Sequence, residues 1–313
     1  MVKVNVDNFV RAETARMFDA GLASQTAGFN SWVHVRQPTP VDNQPVIRMN
    51  RDTLYSAAVV NISAGASVTL PEVGDRYLSV MVINENHYCN AVLTEPGTHE
   101  LTTEQFDTPF VVLAARLFVD PDDADDVATV NGLQDAMQLE AKANEAFTHP
   151  DYDESSRAET QELLLGLGRG LGDTRHMFGA VDEVEPVRHV IGTALGWGGL
   201  PESEAFYVIK SDPMEAGHYR MSLHDVPVDG FWSLSIYNQA GFFEANPYDR
   251  FNINSITARP GDDGTVTIDL APTDDGYMNH LYVMEGWNYA LRLYRPRGAV
   301  LDGTWAPPEP QPV

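Results

Sequence analysis

Apolar residues fall in short alternating runs along most of the chain, and only a few stretches show the three-to-four spacing of a helix. Behind Asp7 as a cap, Phe9, Val10, Ala12, Met17, Phe18 and Leu22 follow helical spacing, which predicts a helix over Asp7 to Ala23. Pro38, Pro40 and Pro45 with Asn43 then impose a loop, from which Val46 to Met49 lead into short strands. The alternation predicts strands at Leu54 to Ile62, Ser67 to Leu70, Tyr77 to Ile83 and Phe110 to Phe118, separated by Gly65, Pro71, Gly74-Asp75 and Pro96-Gly97. After Phe118 the acidic run Asp120 to Asp126 reads as a solvated helix start, with Val130, Leu133, Met137 and Leu139 carrying a helix over Val127 to Phe147. A second helix is expected over Ser155 to Leu167, followed by the glycine-rich stretch Gly166 to Gly172. Strands return at Phe206 to Ile209, Tyr219 to Ser222, Phe231 to Tyr237, Val266 to Leu270 and Tyr289 to Arg295, with Asp262-Asp263-Gly264 a turn.

This pattern predicts a mainly β protein with a helical insert. Its domains would be an N-terminal helix (1–37), a first β domain (38–120), a helical connecting segment (121–198) and a C-terminal β domain (199–313).

Composition narrows the function classes. The chain has 313 residues with 45 acidic against 20 basic, a formal net charge of −25 that repels a phosphate backbone over the whole surface, so no nucleic-acid partner is expected. Cys89 is the single cysteine, which excludes an intrachain disulfide and a CxxC zinc knuckle. The opening residues lack a basic and apolar leader pattern, and no apolar run approaches the roughly 20 residues that span a bilayer. A soluble cytoplasmic protein without a membrane partner is the expectation. Lys3, Lys142 and Lys210 are the only lysines among the basic residues, a bias that fits either a salt-adapted host or a GC-rich genome.

Several segments together resemble a known family: Asn50-Arg51-Asp52-Thr53-Leu54-Tyr55-Ser56, Gly74-Asp75-Arg76-Tyr77, Gly230-Phe231-Trp232-Ser233-Leu234, Asn246-Pro247-Tyr248-Asp249-Arg250-Phe251, Leu291 to Pro296 and Leu301 to Trp305. In this order, over roughly Val41 to Pro308, the chain is similar to bacterial proteins with domain-of-unknown-function 1254 followed by domain-of-unknown-function 1214. The resemblance implies two jelly-roll-like β-sandwich domains joined by helices, and a homo-oligomer. It departs from the family at Asn279-His280-Leu281-Tyr282-Val283-Met284, where members often carry Asn-Trp-Leu-Pro-Ala-Pro, and in lacking the export signal of many relatives.

Catalytic motifs are sparse. No Gly-x-Ser-x-Gly elbow occurs, which argues against an α/β-hydrolase esterase, and the glycine-rich stretch follows a helix without a Gly-Lys-[Ser/Thr] ending, which argues against a nucleotide loop. The polar stretch Asn84-Glu85-Asn86-His87-Tyr88-Cys89-Asn90 extends an apolar strand; if the strand persists, Glu85, His87 and Cys89 share one face. There His87 would serve as general acid or base with Glu85 orienting it, while Cys89 reads as a buried thiol. Asn50-Arg51-Asp52-Thr53-Leu54-Tyr55 offers Arg51 as an anion anchor, Asp52 as a base or turn ligand and Tyr55 as a hydroxyl donor. Asn50, Tyr88, Trp197, Tyr237 and Arg250 complete the candidate substrate contacts. No His-x-His pair exists among nine dispersed histidines, so no metal ligand is assigned and no cofactor is favoured. A divalent metal on His87, Glu85 and His176 or His189 stays open. Two readings stand: an enzyme, hydrolase- or lyase-like, acting on a small polar or carboxylated metabolite in an interdomain cleft, or a non-catalytic ligand- or carbohydrate-binding oligomer.

Overall fold

The computed structural model describes residues 1–24, 28–44, 47–171 and 173–313. Pro45, Val46 and Gly172, assigned from sequence to a loop, a strand entry and the glycine-rich stretch, lie outside the described residues. In chain order the elements are α1 (Phe9–Ser24), β1 (Val33–His34), β2 (Thr53–Asn61), β3 (Ala66–Leu70), β4 (Leu78–Asn84), β5 (Cys89–Leu93), β6 (Gly97–Leu101), α2 (Thr103–Phe106), β7 (Phe110–Phe118), α3 (Ala124–Ala136), β8 (Gln138–Ala141), α4 (Glu154–Gly168), α5 (Pro186–Leu195), β9 (Ala205–Met214), β10 (Tyr219–Leu223), β11 (Trp232–Tyr237), β12 (Asn252–Asn254), β13 (Val266–Ala271), β14 (His280–Tyr282), β15 (Trp287–Tyr294), α6 (Gly298–Leu301) and β16 (Gln311–Pro312). The protein is mainly β with helices inserted.

Two compact units divide the chain, and neither is contiguous in sequence: one holds residues 1–36, 54–118 and 127–202, the other 37–53, 119–126 and 203–313. The first unit contains a five-stranded sheet ordered β1-β2-β7-β4-β5 and a three-stranded sheet ordered β6-β3-β8. β4 is buried at every position, as a central strand covered on both faces must be, which explains its unbroken apolar run. Against one another pack α1, α4 and α5, sharing Phe9, Ala12, Leu164, Ile191 and Ala194 in one apolar cluster.

The second unit is a sandwich of two four-stranded sheets, β14-β13-β10-β16 and β12-β11-β15-β9. Met221, Leu223, Ile268 and Leu270 of the first sheet meet Trp232, Leu234, Leu291 and Leu293 of the second in a single core. Because strand side chains alternate, the intervening Ser233, Ser235, Tyr237 and Arg292 face away from that core. They remain buried, because residues 48–52 lie over them: Tyr237 Oη donates to Met49 O (2.8 Å) and Arg292 Nη2 to Arg48 O (2.8 Å).

Three expectations are corrected. The helix predicted to run to Phe147 ends at Ala136, because Gln138 to Ala141 pair with Thr69 to Ala66 of β3; a sheet edge captures a segment whose local pattern is helical. The condition on which Glu85, His87 and Cys89 would share one face is not met: the strand expected over Tyr77 to Ile83 stops at Asn84 and the chain reverses, so that β5 pairs antiparallel with β4. Asn84 makes that turn: its Oδ1 accepts from Asn86 N (2.9 Å) and Tyr88 N (3.0 Å), and its Nδ2 donates to Phe106 O (3.1 Å). The connecting segment holds an additional helix, α5, which starts with Pro186 in its first turn.

Candidate functional site

The expected site residues fall into both units. In the first, the reversal at Asn84 places His87 in the left-handed region (φ 62°) and buries it fully. Its Nε2 accepts from Gly198 N (2.8 Å), which fixes the proton on Nδ1, and Nδ1 in turn donates to Thr193 Oγ1 (2.8 Å). Thr193 Oγ1 in turn donates a hydrogen bond to His189 O (2.9 Å). Burial, with a smaller contribution from the neighbouring His189, holds the His87 pKa down at about 3. The ring is therefore neutral at physiological pH with both nitrogens engaged, and no lone pair is free for acid–base work.

Tyr88, His189, His87 and Trp197 form one stack, with centroid spacings of 4.7, 5.4 and 5.3 Å and interplanar angles of 15°, 27° and 22°. Trp197 Nε1 donates to Thr14 Oγ1 (3.0 Å), tying the stack to α1. Glu85 turns elsewhere: its carboxylate takes Arg11 Nη2 (2.9 Å) and Phe110 N (3.2 Å) beside a cavity of about 40 Å³, room for a water rather than a metabolite. Tyr55 packs its ring under the Arg116 guanidinium at 5.7 Å.

In the second unit Asp52 is fully buried. Ser233 Oγ donates to its Oδ2, and Asn252 Nδ2 and Asn254 Nδ2 donate to its Oδ1, each amide at 2.8 Å. Burial pushes the Asp52 pKa up, while Ser233, Asn254, Arg292 and Asn252 pull against it. Asn50 Oδ1 accepts from Asp52 N (2.8 Å) and its Nδ2 donates to Tyr294 Oη (2.8 Å). Arg51 donates from Nη1 to Thr39 O (2.5 Å) and lies 5.3 Å over the Phe251 ring. Asn50, Asp52 and Tyr237 thus close the outer face of the β11–β15 sheet, a satisfied polar layer.

That layer backs a cleft of about 320 Å³, the size of a small-metabolite site. Asn252 and Asn254 form its floor, with their amides pointed back to Asp52. On one rim Arg250 Nη1 faces Asp122 Oδ2 at 3.6 Å; burial raises the Asp122 pKa, against the pull of Arg51 and Arg250. On another rim stands Arg259, whose loop Asn279 clamps: Asn279 Oδ1 accepts from Arg259 N (2.8 Å) and Nδ2 donates to Arg259 O (2.8 Å) and Thr267 O (2.9 Å). The Arg259 side chain is exposed, and among the described residues it has no ion pair or hydrogen bond. Tyr277 and His280 complete the wall.

Of the expected site residues only Arg250 lines this cleft; Asp52 stands behind it. Arg259, Asn279 and His280 went unassigned, although the departure from the family pattern at Asn279 to Met284 marks the segment that supplies two of them. Among the described residues no group of three or more His, Cys, Asp or Glu is placed to hold a metal ion, so the composite of His87, Glu85 and a second histidine does not assemble. Among them, too, no helix is long and apolar enough to cross a membrane.

Residues 29–99 match the model described as protein of unknown function DUF1254, and residues 210–298 the model described as protein of unknown function DUF1214. The chain is similar in structure to the VPA0106 protein from Vibrio parahaemolyticus, at 17% identity and a TM-score of 0.78 over 98% of this chain and 97% of that one. It is also similar to an uncharacterised protein from Burkholderia cenocepacia, at 16% identity and a TM-score of 0.52 over 97% and 87%. Both likenesses are of fold. No curated protein matches the chain.

Proposed function

From a chain that carries a DUF1254 region ahead of a DUF1214 region, we propose a protein that binds a small polar, carboxylated metabolite in the cleft of its second unit. The observation that carries this reading is the Arg259 guanidinium, exposed and without an ion pair among the described residues, on the same cleft as Arg250. The cleft also carries Asp120, Asp122 and Asp274, with Asp122 facing Arg250, so among the described residues the Arg259 guanidinium is the cationic group left on the lining to attract a small anion. Asn252, Thr257 and Tyr277 add neutral polar groups suited to the rest of a polar ligand. The hydrolase- or lyase-like chemistry expected of His87 has no support in the geometry around it, so the proposal is one of binding.

Titration calorimetry with succinate as probe tests it. We expect saturable binding to the full chain, weakened about tenfold or more in Arg259→Ala, the scale of one charge-assisted hydrogen bond. Equal affinity of wild type and variant, or no heat at millimolar succinate, would remove the proposal.

A further inference from the structure

His149 lies in the first unit, on the chain between β8 and α4, and both of its ring nitrogens face oxygens. Nδ1 stands 2.8 Å from Pro150 O, and Nε2 stands 2.8 Å from Asp19 Oδ2 on α1. A carbonyl and an ionised carboxylate can only accept, so each contact needs a proton on the nitrogen, and only the imidazolium carries two. A neutral ring, in either tautomer, sets one lone pair against an oxygen at hydrogen-bond distance and forfeits that bond. Packing fixes the ring as well: Phe147 lies 5.5 Å from it, and Tyr152 is stacked on it at 6.0 Å and 7°. Phe147 in turn meets Phe18 of α1 at 5.0 Å and Phe110 of β7 at 5.2 Å. Residues 147–152 thus form a strap along α1, and they share with Arg11 and Glu85 the lining of the cavity of about 40 Å³.

We propose that His149 is a proton-operated latch: as the imidazolium it ties the strap to α1 through Asp19, and on losing its proton it releases the strap from the helix. The charges around the ring favour the closed form. Asp19 approaches from α1 and Asp151 from the strap itself, and the Met1 amino group lies 3.4 Å from Asp151. The nearby cations of α1 are spent on other partners, Arg11 on Glu85 (2.9 Å) and Arg16 on Glu13 (2.5 Å). Burial pulls the His149 pKa down, but the Pro150 carbonyl and the Asp19 and Asp151 carboxylates outweigh it and hold the value above the ordinary 6.5. The latch is therefore complete below the unfolded value and is lost as pH rises through the folded one.

Two measurements test the latch. In the first, the native full chain is exposed to chymotrypsin, and cutting after Phe147 is followed by mass spectrometry in wild type and His149→Phe, at about pH 6 and about pH 9. The variant keeps an aromatic ring against Phe147 and Tyr152 but has no donor, and Pro150 behind it blocks a new cut. Cleavage follows the population of the released strap, so wild type should be cut roughly three- to tenfold more slowly than the variant at the lower pH, and equally fast at the higher. The Met1 amino group and the pH dependence of the protease are common to both proteins and cancel in the ratio. Equal rates at the lower pH overturn the latch, and a wild-type advantage undiminished at the higher pH overturns its control by the proton. In the second, nitrogen-15 shifts of the His149 ring are titrated in wild type and Asp19→Asn. The expected wild-type ring has both nitrogens protonated at about pH 6, with a midpoint above 6.5 that falls in the variant. A midpoint at or below 6.5, or one that Asp19→Asn does not move, overturns the proposal.

Discussion

His87 and His149 show how a residue's chemistry follows from what its two nitrogens touch. His87 has a backbone N–H on one nitrogen and a hydroxyl on the other, and its depressed pKa makes it a stability element with a calculable pH signature. The unfolded value near 6.5 lies above the folded value of about 3, so the stabilisation is complete above the unfolded pKa and drains away as pH falls toward the folded one. Between about pH 7 and pH 4 the loss is on the order of 3 kcal/mol. We expect chemical denaturation of wild type to show this extra acid sensitivity relative to His87→Asn, which does not titrate and tolerates positive φ; parallel pH profiles for the two would contradict it. The polar character of Asn84 to Asn90 was legible in the sequence, but its reversal was not. That depended on Asn84 finding Phe106 O, a partner supplied by a distant segment.

At the scale of elements, strands with strict alternation or unbroken apolar runs were read correctly, because burial of one or both faces leaves a mark in composition. Phe110–Phe118, Trp232–Tyr237 and Trp287–Tyr294 are of this kind. The segment Gln138 to Ala141 carried no such mark, since only two of its four residues are partly buried and its place is set by pairing with β3. Helix α5 did carry one, with Pro186 at its start and Val187, Val190, Ile191, Ala194 and Leu195 at helical spacing. Its Gly192 is fixed by packing: a Cβ there would stand 2.7 Å from Met177 Cβ. Helix propensity favours alanine by up to about 1 kcal/mol, whereas overpacking costs about 1–3 kcal/mol. Gly192→Ala should therefore lower the unfolding free energy, while Gly166→Ala in α4, where a Cβ meets nothing within 4 Å, should hold or raise it. Denaturant melts of the two variants would decide, and stabilisation by both would refute the packing argument.

For the whole molecule, the excess of 45 acidic over 20 basic residues sets a self-repulsion that every folded state must carry. Salt shortens its range, with a Debye length of about 10 Å at 0.1 M and about 3 Å at 1 M. The melting temperature should rise over that interval in sodium chloride, read by scanning calorimetry; a flat or falling response would show that favourable ion pairs such as Arg157–Glu13 outweigh the net charge. The two compact units interleave along the chain; the proline loop and the acidic run mark breaks at residues 37–53 and 119–126, but nothing in them records that both pack with 203–313.

The sequence by itself determined the mainly β class, the principal strands, the family resemblance and the net charge, because periodicity and charge are sums over residues that need no partner. Only the tertiary structure decided which polar groups are spent and which are free. Asp52 and His87 are committed to donors and acceptors from remote segments, while among the described residues the Arg259 side chain on the cleft has neither an ion pair nor a hydrogen bond. A hydrogen bond is a property of two groups brought to about 3 Å, and no pattern within one of them records whether the other will arrive.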